Sequence, residues 1–380
     1  MKNNDKTARE PLFHITKRTA IPLWKSWLIR IVAVFAAALI SSILIVAITG
    51  RNPLEIFASI FHGAFGNPKK QSASGVASLR WQTLQETAIL LSIALAITPA
   101  FKMKFWNIGA EGQVLISSLM TAVIAGYCGK AMSATEFGKV MLVILMILGG
   151  MLAGIVWSVI PAIFKAKFNT NETLFTLMMN YIAVSLVNFF LKTWDPAHKQ
   201  YNLINGKFPE IGNSFLAIII VSLVLTAFLY IYLRFTKHGY EISVVGESKN
   251  TAKYIGLSVK KVTIRTLMLS GAISGLVGAM LVGSIKLSLS DGIVGGYGFT
   301  AILVSWLAKF NPLLMILTSF LVIFFQKGSY QLADDFSKYK ISKDFGDIIV
   351  GIVFLFIIAC EFFITYAIKF NRKKKEEVQN

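Results

Sequence analysis

The sequence predicts an all-α protein that crosses a lipid bilayer about ten times. Hydrophobic residues make up 55% of the 380-residue chain, charged residues only 15%, and the mean hydropathy is +0.64. The apolar residues fall into repeated blocks of roughly 20, the length that an α-helix needs to cross about 30 Å of hydrocarbon. Because lipid cannot satisfy backbone N–H and C=O groups, such blocks are interpreted as helices.

Ten apolar blocks follow one another along the chain. The eighth is too short for a full crossing, and Asn311-Pro312 interrupts the apolar run after it. We therefore expect a half-helix there that turns into a full helix. The predicted spans are 28–49, 84–100, 105–127, 139–163, 173–191, 214–233, 263–284, 297–309, 311–330 and 346–368.

The charge distribution predicts an orientation in the membrane. The formal net charge is +19, and membrane proteins use Lys and Arg to orient their spans, so we interpret the charge as a topological signal and expect no nucleic-acid partner. If the basic N-terminal segment 1–27 is cytoplasmic, most Lys and Arg residues fall on cytoplasmic segments, the basic tail 369–380 included. The prediction is a multi-pass membrane domain over 28–368 with both termini cytoplasmic.

The residue types that enzymes and metal sites need are sparse. The chain contains no G-x-x-x-x-G-K-[ST] loop for ATP, and its four histidines are scattered without metal-ligand spacing. Cys128 and Cys360 lie in different predicted spans or span ends, so we interpret them as buried free thiols. Of the acidic residues within the spans, only Glu361 lies deep, which argues against ion coupling. We predict no catalytic residue, no metal and no cofactor.

Glycine is concentrated in three stretches. Gly271, Gly275 and Gly278 fall nearly on one helix face, which is typical of close helix packing, and "GGMLAG" (149–154) has the same character. The stretch "DGIVGGYG" (291–298) has too many glycines for a packed helix. We expect a turn there that leads into the half-helix.

A polar motif stands at the start of the third span. "FWNIGAEGQVL" (105–115) places Asn107, Glu111 and Gln113 among two glycines. One interpretation is that the helix frays there beside a solute path or gate. The other is a polar knot that satisfies backbone groups at a helix end, and the sequence does not decide between them.

The longest internal loop, 234–262, contains a predicted short amphipathic helix, "SKNTAKYIGL". Ser248 fits its N-cap and Gly256 its terminator. The helix is either part of a solvated connector or a docking element for a cytoplasmic partner. Its predicted faces are an apolar one with Ala252, Ile255 and Leu257, and a basic one with Lys249 and Lys253.

Four stretches together resemble a known family. They are "FWNIGAEGQVL" (105–115), "NETLFTLMMNYIA" (171–183), "GESKNTAKYIGLSVKKVTIRTLMLSGAISGLVGAM" (246–280) and "GGYGFTAILVSWLAKFNPL" (295–313). In this order they resemble the permease subunits of bacterial ABC importers of the ribose and branched-chain amino-acid permease superfamily, nucleoside-importer branch. The resemblance implies a type II ABC importer-like fold with two internal repeats, one containing "FWNIGAEGQ" and the other "GGYGFTAIL".

The resemblance also implies partners. Two such permeases, often non-identical, form the translocation path. Two cytoplasmic ABC ATPases, which bind the ATP, and an extracellular substrate-binding lipoprotein complete the importer. The loop 239–260 would carry the coupling helix that contacts the ATPase. The matching positions are Gly246, Glu247, Lys253, Tyr254 and Gly256.

Candidate path residues follow from the nucleoside interpretation. A nucleoside needs aromatic faces for its base and polar partners for its sugar. A sugar such as ribose or another small polar solute, carried by the same architecture, is the first alternative, and an ion-coupled carrier is the second. The candidates are Phe105, Trp106, Asn107, Glu111, Gln113, Tyr297 and Phe299.

Overall fold

The computed structural model describes residues 13–17, 22–50, 52–68, 72–194, 200–209, 213, 215–335 and 344–370. Within these ranges the chain forms thirteen α-helices, one π-helical segment and four short strands. The helices are α1 Leu23–Thr49, α2 Pro53–Phe65, α3 Ala73–Lys102, α4 Ala110–Met132, α5 Glu136–Phe168, α6 Glu172–Trp194, α7 Leu216–Phe235, α8 Lys237–Glu247, α9 Lys249–Tyr254, α10 Val259–Met280 with the π-helical Leu281–Lys286, α11 Tyr297–Leu307, α12 Pro312–Asp335 and α13 Asp344–Thr365.

Every predicted span coincides with a helix. Seven of the described helices are long and apolar enough to cross a membrane, namely α3 to α7, α10 with its π-helical end, and α12. The other three predicted spans correspond to α1, α11 and α13. The predicted half-helix is confirmed as α11, which has 11 residues and is followed directly by α12.

Several boundaries and elements differ from the sequence-based expectation. The predicted span 105–127 begins five residues too early, because Lys104 adopts a positive φ of 58° and the chain to Gly109 is not helical. The span predicted at 84 begins at Ala73, and the last span gives way to a strand at Tyr366. The helices α2 and α8 were not predicted.

The chain divides into two compact units, of which the first contains residues 1–59 and 329–380. In it, β1 (Phe13–Lys17) pairs antiparallel with β4 (Tyr366–Phe370). The helices α1 and α13 also pack together, with Ala33 buried against Cys360 and Ile364. The chain leaves this sheet through α1 and returns to it through α13, so that Phe13 and Phe370 lie opposite each other.

The second unit, residues 60–328, is organised around α3. The segment from Thr87 to Phe101 in α3 is buried throughout, because α7, α10 and α11 surround it. At one end of the unit, β2 (Tyr201–Asn202) pairs antiparallel with β3 (Ser288–Leu289). This pairing joins the α6–α7 connection to the segment that precedes α11.

Close packing of α5 on α10 confirms the predicted role of the glycines. A Cβ at Gly271 would overlap the Gly154 carbonyl and the Ser158 hydroxyl, and a Cβ at Gly275 would come within 2.6 Å of the Gly150 carbonyl. Ser158 also donates a hydrogen bond to the Leu267 carbonyl, at 2.7 Å. Gly278 faces α4 instead, where a Cβ would lie 2.6 Å from the Val114 carbonyl.

The packing of α4 and α11 has the pattern expected of internal repeats. The helix α4 packs on α10, and the Ser118 hydroxyl donates to the Gly278 carbonyl at 3.2 Å. Correspondingly, α11 packs on α3, and the Ser305 hydroxyl donates to the Ala94 carbonyl at 3.0 Å. The pair α3 and α4 is thus related to the pair α10 and α11.

Candidate functional site

The helix α4 begins inside the bundle rather than at its edge. The Gly112 N–H donates to Asn180 Oδ1 at 2.9 Å, about two turns into α6. In the loop before α4, Asn107 Nδ2 donates to Ser270 Oγ at 3.4 Å, about three turns into α10. The motif "FWNIGAEGQ" therefore forms a non-helical segment followed by the first turn of α4, and this start lies part of the way along α6 and α10.

The helix α11 begins at the same place, and Glu111 joins the two starts. Glu111 lies in the first turn of α4. Its Oε1 accepts the Gly296 N–H at 2.9 Å, and its Oε2 accepts the Gly298 N–H at 2.7 Å. One carboxylate thus meets the positive ends of two helix dipoles. Gly298 allows this approach, since a Cβ there would overlap the backbone N of Glu111.

Two further helices hold the start of α11. The Tyr297 hydroxyl donates to Glu86 Oε2 on α3 at 3.1 Å. Glu86 Oε1 forms an ion pair with Lys327 Nζ on α12, at 2.6 Å, and the two side chains are mostly shielded. We call Glu86, Glu111, Tyr297 and Lys327 the polar centre. Lys327 was not among the predicted site residues, although a lysine inside an apolar span is itself a signal of an intramembrane partner.

Asn107 and Gln113 are fully enclosed. Asn107 Oδ1 accepts the Gly109 N–H at 3.1 Å and Gln113 Nε2 at 3.4 Å. The Ser274 hydroxyl donates to Gln113 Oε1 at 3.2 Å. The exposed fractions of the Asn107 and Gln113 side chains are 0% and 1%. For these two residues the geometry favours the polar knot, which ties the loop, α4 and α10 together, over direct contact with a solute.

The four candidate aromatic residues lie in different environments. Phe105 is buried, and Tyr297 belongs to the polar centre. Trp106 and Phe299 are 41% and 44% exposed. Trp106 meets Trp306 edge to face, with ring centroids 5.3 Å apart. Trp106 and Phe299 are therefore the two candidates that present aromatic surface.

The amphipathic helix of the long loop is present as α9. The Ser248 hydroxyl accepts the Thr251 N–H at 3.2 Å, and Gly256 ends the helix with a φ of 83°, so both predicted caps are confirmed. Ala252 is buried, and Lys249 and Lys253 are exposed. The predicted position of Ile255 on the apolar face is wrong, because α9 ends one residue before it and its side chain is 49% exposed.

Buried contacts fix the α8–α9 element to the bundle. Gly246 lies directly against the end of α3, where a Cβ would overlap the Lys102 carbonyl. Glu241 of α8 forms an ion pair with Arg265 of α10 at 2.5 Å. Val245 packs into the same core as Met103. The candidate coupling residues therefore separate into one that holds the element in place, Gly246, and an exposed set.

The exposed set is Glu247, Lys253, Tyr254 and Gly256. Tyr254 is 93% exposed, although it is a large aromatic side chain. Tyrosine is one of the residue types enriched among the residues that dominate protein–protein binding, so Tyr254 is the candidate contact on this set.

Comparison with known proteins agrees with this architecture. Residues 79–358 match the family model described as "Branched-chain amino acid transport system / permease component". The guanosine ABC transporter permease protein NupP of Bacillus subtilis is 26% identical over 341 residues, which is 86% of this chain and 90% of that protein. The nucleoside ABC transporter permease protein NupB of Lactococcus lactis is 26% identical over 357 residues, covering 89% and 92% of the two chains.

A relative with a different named cargo is similar to the same degree. The glucose ABC transporter permease protein TsgB13 of Haloferax volcanii is 25% identical over 378 residues, 94% of both chains. No solved structure matches this chain significantly. The family match covers most of the chain, including both broken helices and the α8–α9 element. The chain therefore belongs to the family of membrane permease components of branched-chain amino acid transport systems, and it is a transport subunit rather than an enzyme.

Proposed function

We propose that this chain is one of two membrane-spanning subunits of an ATP-driven importer for nucleosides in a bacterial plasma membrane. Cytoplasmic ABC ATPases bind the ATP, and an extracellular lipoprotein delivers the solute. Two relatives that are named nucleoside or guanosine permeases support the cargo. A second relative from Bacillus subtilis, the guanosine permease protein NupQ, supports a pair of non-identical permeases.

The observation that carries the proposal is the way in which the α8–α9 element is attached to the helix bundle. Its exposed face includes Tyr254, while its inner face is fixed to the ends of α3 and α10 by Gly246 and the Glu241–Arg265 pair. Farther along, α3 carries Glu86 of the polar centre, and α10 contacts the loop before α4. A displacement imposed on the exposed face is therefore transmitted through two continuous helices to the starts of α4 and α11. This is the connection that alternating access requires.

A sugar importer with the same architecture is the second candidate, because the glucose permease of Haloferax volcanii is similar over 94% of the chain. The half-exposed Trp106 and Phe299 favour a nucleoside, since an aromatic face binds a planar base well. Competition separates the two. In a fully assembled importer, inosine should displace labelled nucleoside at concentrations where ribose does not, and stronger displacement by ribose would overturn the nucleoside assignment.

The coupling role is tested with the double variant Lys253→Ala/Tyr254→Ala. We expect normal membrane insertion, but uptake reduced to background and ATP hydrolysis that no longer drives transport. The matched control is Lys130→Ala/Tyr127→Ala, an exposed lysine and tyrosine at the far end of α4. The control should take up solute like the unaltered protein. Undiminished uptake by the Lys253/Tyr254 variant would remove the coupling role.

A further inference from the structure

A lysine-rich pocket lies beside the α8–α9 element. It has a volume of about 230 Å³ and lies between the end of α5, the loop after α3, the α8–α9 element and the start of α10. Among its lining residues are six lysines and a single acidic residue, Glu172. The lysines are Lys104, Lys165, Lys167, Lys249, Lys253 and Lys260.

The positive charge of the pocket is mostly uncompensated. Lys165 pairs with Glu172 at 2.7 Å, and these two side chains are only 17% and 13% exposed. The other five lysines have no carboxylate partner among the residues that the structure describes. Orientation of the spans requires lysines near their ends, but it does not require them to converge on one concavity. Five like charges around a small cavity repel one another and create a local field that attracts an anion.

The floor of the pocket differs from its rim. Met103, Phe105 and Val245 on the floor are buried, with exposed fractions of 2% to 3%. A suitable ligand therefore has a charged head and an uncharged body. Because the volume lies near the lower limit for small-molecule pockets, the fitting part has the size of a headgroup. On the rim, Lys104 has a φ of 58°, a conformation that non-glycine residues adopt rarely.

We propose that this pocket binds a phosphate ester, with the phosphate held by the rim lysines. Ends of membrane spans lie at the level of lipid headgroups, where basic pockets bind anionic phospholipids. A soluble phosphate ester in the cytoplasm offers the same chemistry. In either case the bound anion links Lys253 of α9 to Lys260 of α10 and to Lys104 of the loop before α4. Its occupancy therefore stabilises the α8–α9 element on the bundle.

The test compares Lys104→Gln/Lys260→Gln with the control Lys130→Gln/Lys192→Gln. The control removes two exposed lysines from the last turns of α4 and α6, and neither of them lines the pocket. The full-length protein is placed in nanodiscs of phosphatidylcholine with or without phosphatidylglycerol, and retained lipid is measured by native mass spectrometry. In a second arm the detergent-solubilised protein is titrated with adenosine monophosphate and with inorganic phosphate, with the melting temperature as readout.

One lysine near an anionic phosphate contributes on the order of fivefold to affinity, so the pocket variant should bind its ligand roughly 25-fold more weakly. The control should bind like the unaltered protein, and binding should weaken as salt is raised. Retention of phosphatidylglycerol that adenosine monophosphate does not displace assigns the site to lipid. Saturable binding of adenosine monophosphate assigns it to a soluble ester. Absence of both, or equal binding by the two variants, would overturn the proposal.

Discussion

The carboxylate of Glu111 is expected to fix the start of α11 with a measurable free energy. It accepts two backbone N–H groups, from Gly296 at 2.9 Å and from Gly298 at 2.7 Å. A hydrogen bond to a charged group contributes about 1.5–3 kcal/mol, and an unpaired buried donor adds its own cost. Glu111→Ala removes both acceptors and should lower the free energy of unfolding by about 3–5 kcal/mol. Glu111→Gln keeps one acceptor and should cost about 2 kcal/mol.

Thermal unfolding of the purified protein in detergent measures this effect. For a chain of this size a loss of 2 kcal/mol corresponds to a decrease of a few degrees in Tm, on the order of 1–2 °C per kcal/mol. The control is Glu136→Gln. Glu136 is also a first-turn glutamate, but its side chain is 88% exposed and forms an exposed ion pair with Lys139, so Tm should not change. Equal Tm values for the two Gln variants would refute the reasoning.

Two further substitutions test the packing and the polar knot by the same measurement. Gly271→Ala places a methyl group against the Gly154 carbonyl and should lower Tm by several degrees. The control Gly292→Ala should leave Tm unchanged, because a Cβ there meets nothing within 4 Å. An unchanged Tm for Gly271→Ala would contradict the α5–α10 packing. Asn107→Ala removes the acceptor of the Gly109 N–H and of Gln113 Nε2, and it should cost about 2–4 kcal/mol. The exposed Asn250→Ala should leave Tm unchanged, and an equal loss in both Asn variants would exclude a specific role for Asn107.

Much of the fold could be predicted because the bilayer restricts it so strongly. Apolar length alone located all ten predicted spans, and cap chemistry located both ends of α9 at Ser248 and Gly256. The two strands that join the chain ends could not be predicted in this way. Phe13 pairs with Phe370, and such a distant pairing leaves no local periodicity in the sequence.

The candidate site was predicted less completely. The motif around Glu111 was recognised as unusual, but its partner is the backbone of Gly296 and Gly298, which no side-chain pattern reveals. The Glu86–Lys327 pair likewise depends on which faces of α3 and α12 meet. For Asn107 and Gln113 the sequence left two interpretations open, a solute path and a polar knot at a helix end, and their burial favours the second. Residue type indicated where something unusual happens, and only the tertiary contacts distinguish a path from a support.

The sheet formed by β1 and β4 has a consequence for how the protein is made. Its strands come from the two ends of the chain, and α1 packs on α13. During synthesis α1 is therefore made long before its partner exists, and it must remain without that partner until α2 to α12 and then α13 have been produced. A chain truncated before α13 would leave the face of α1 around Ala33 without Cys360 and Ile364 to pack against.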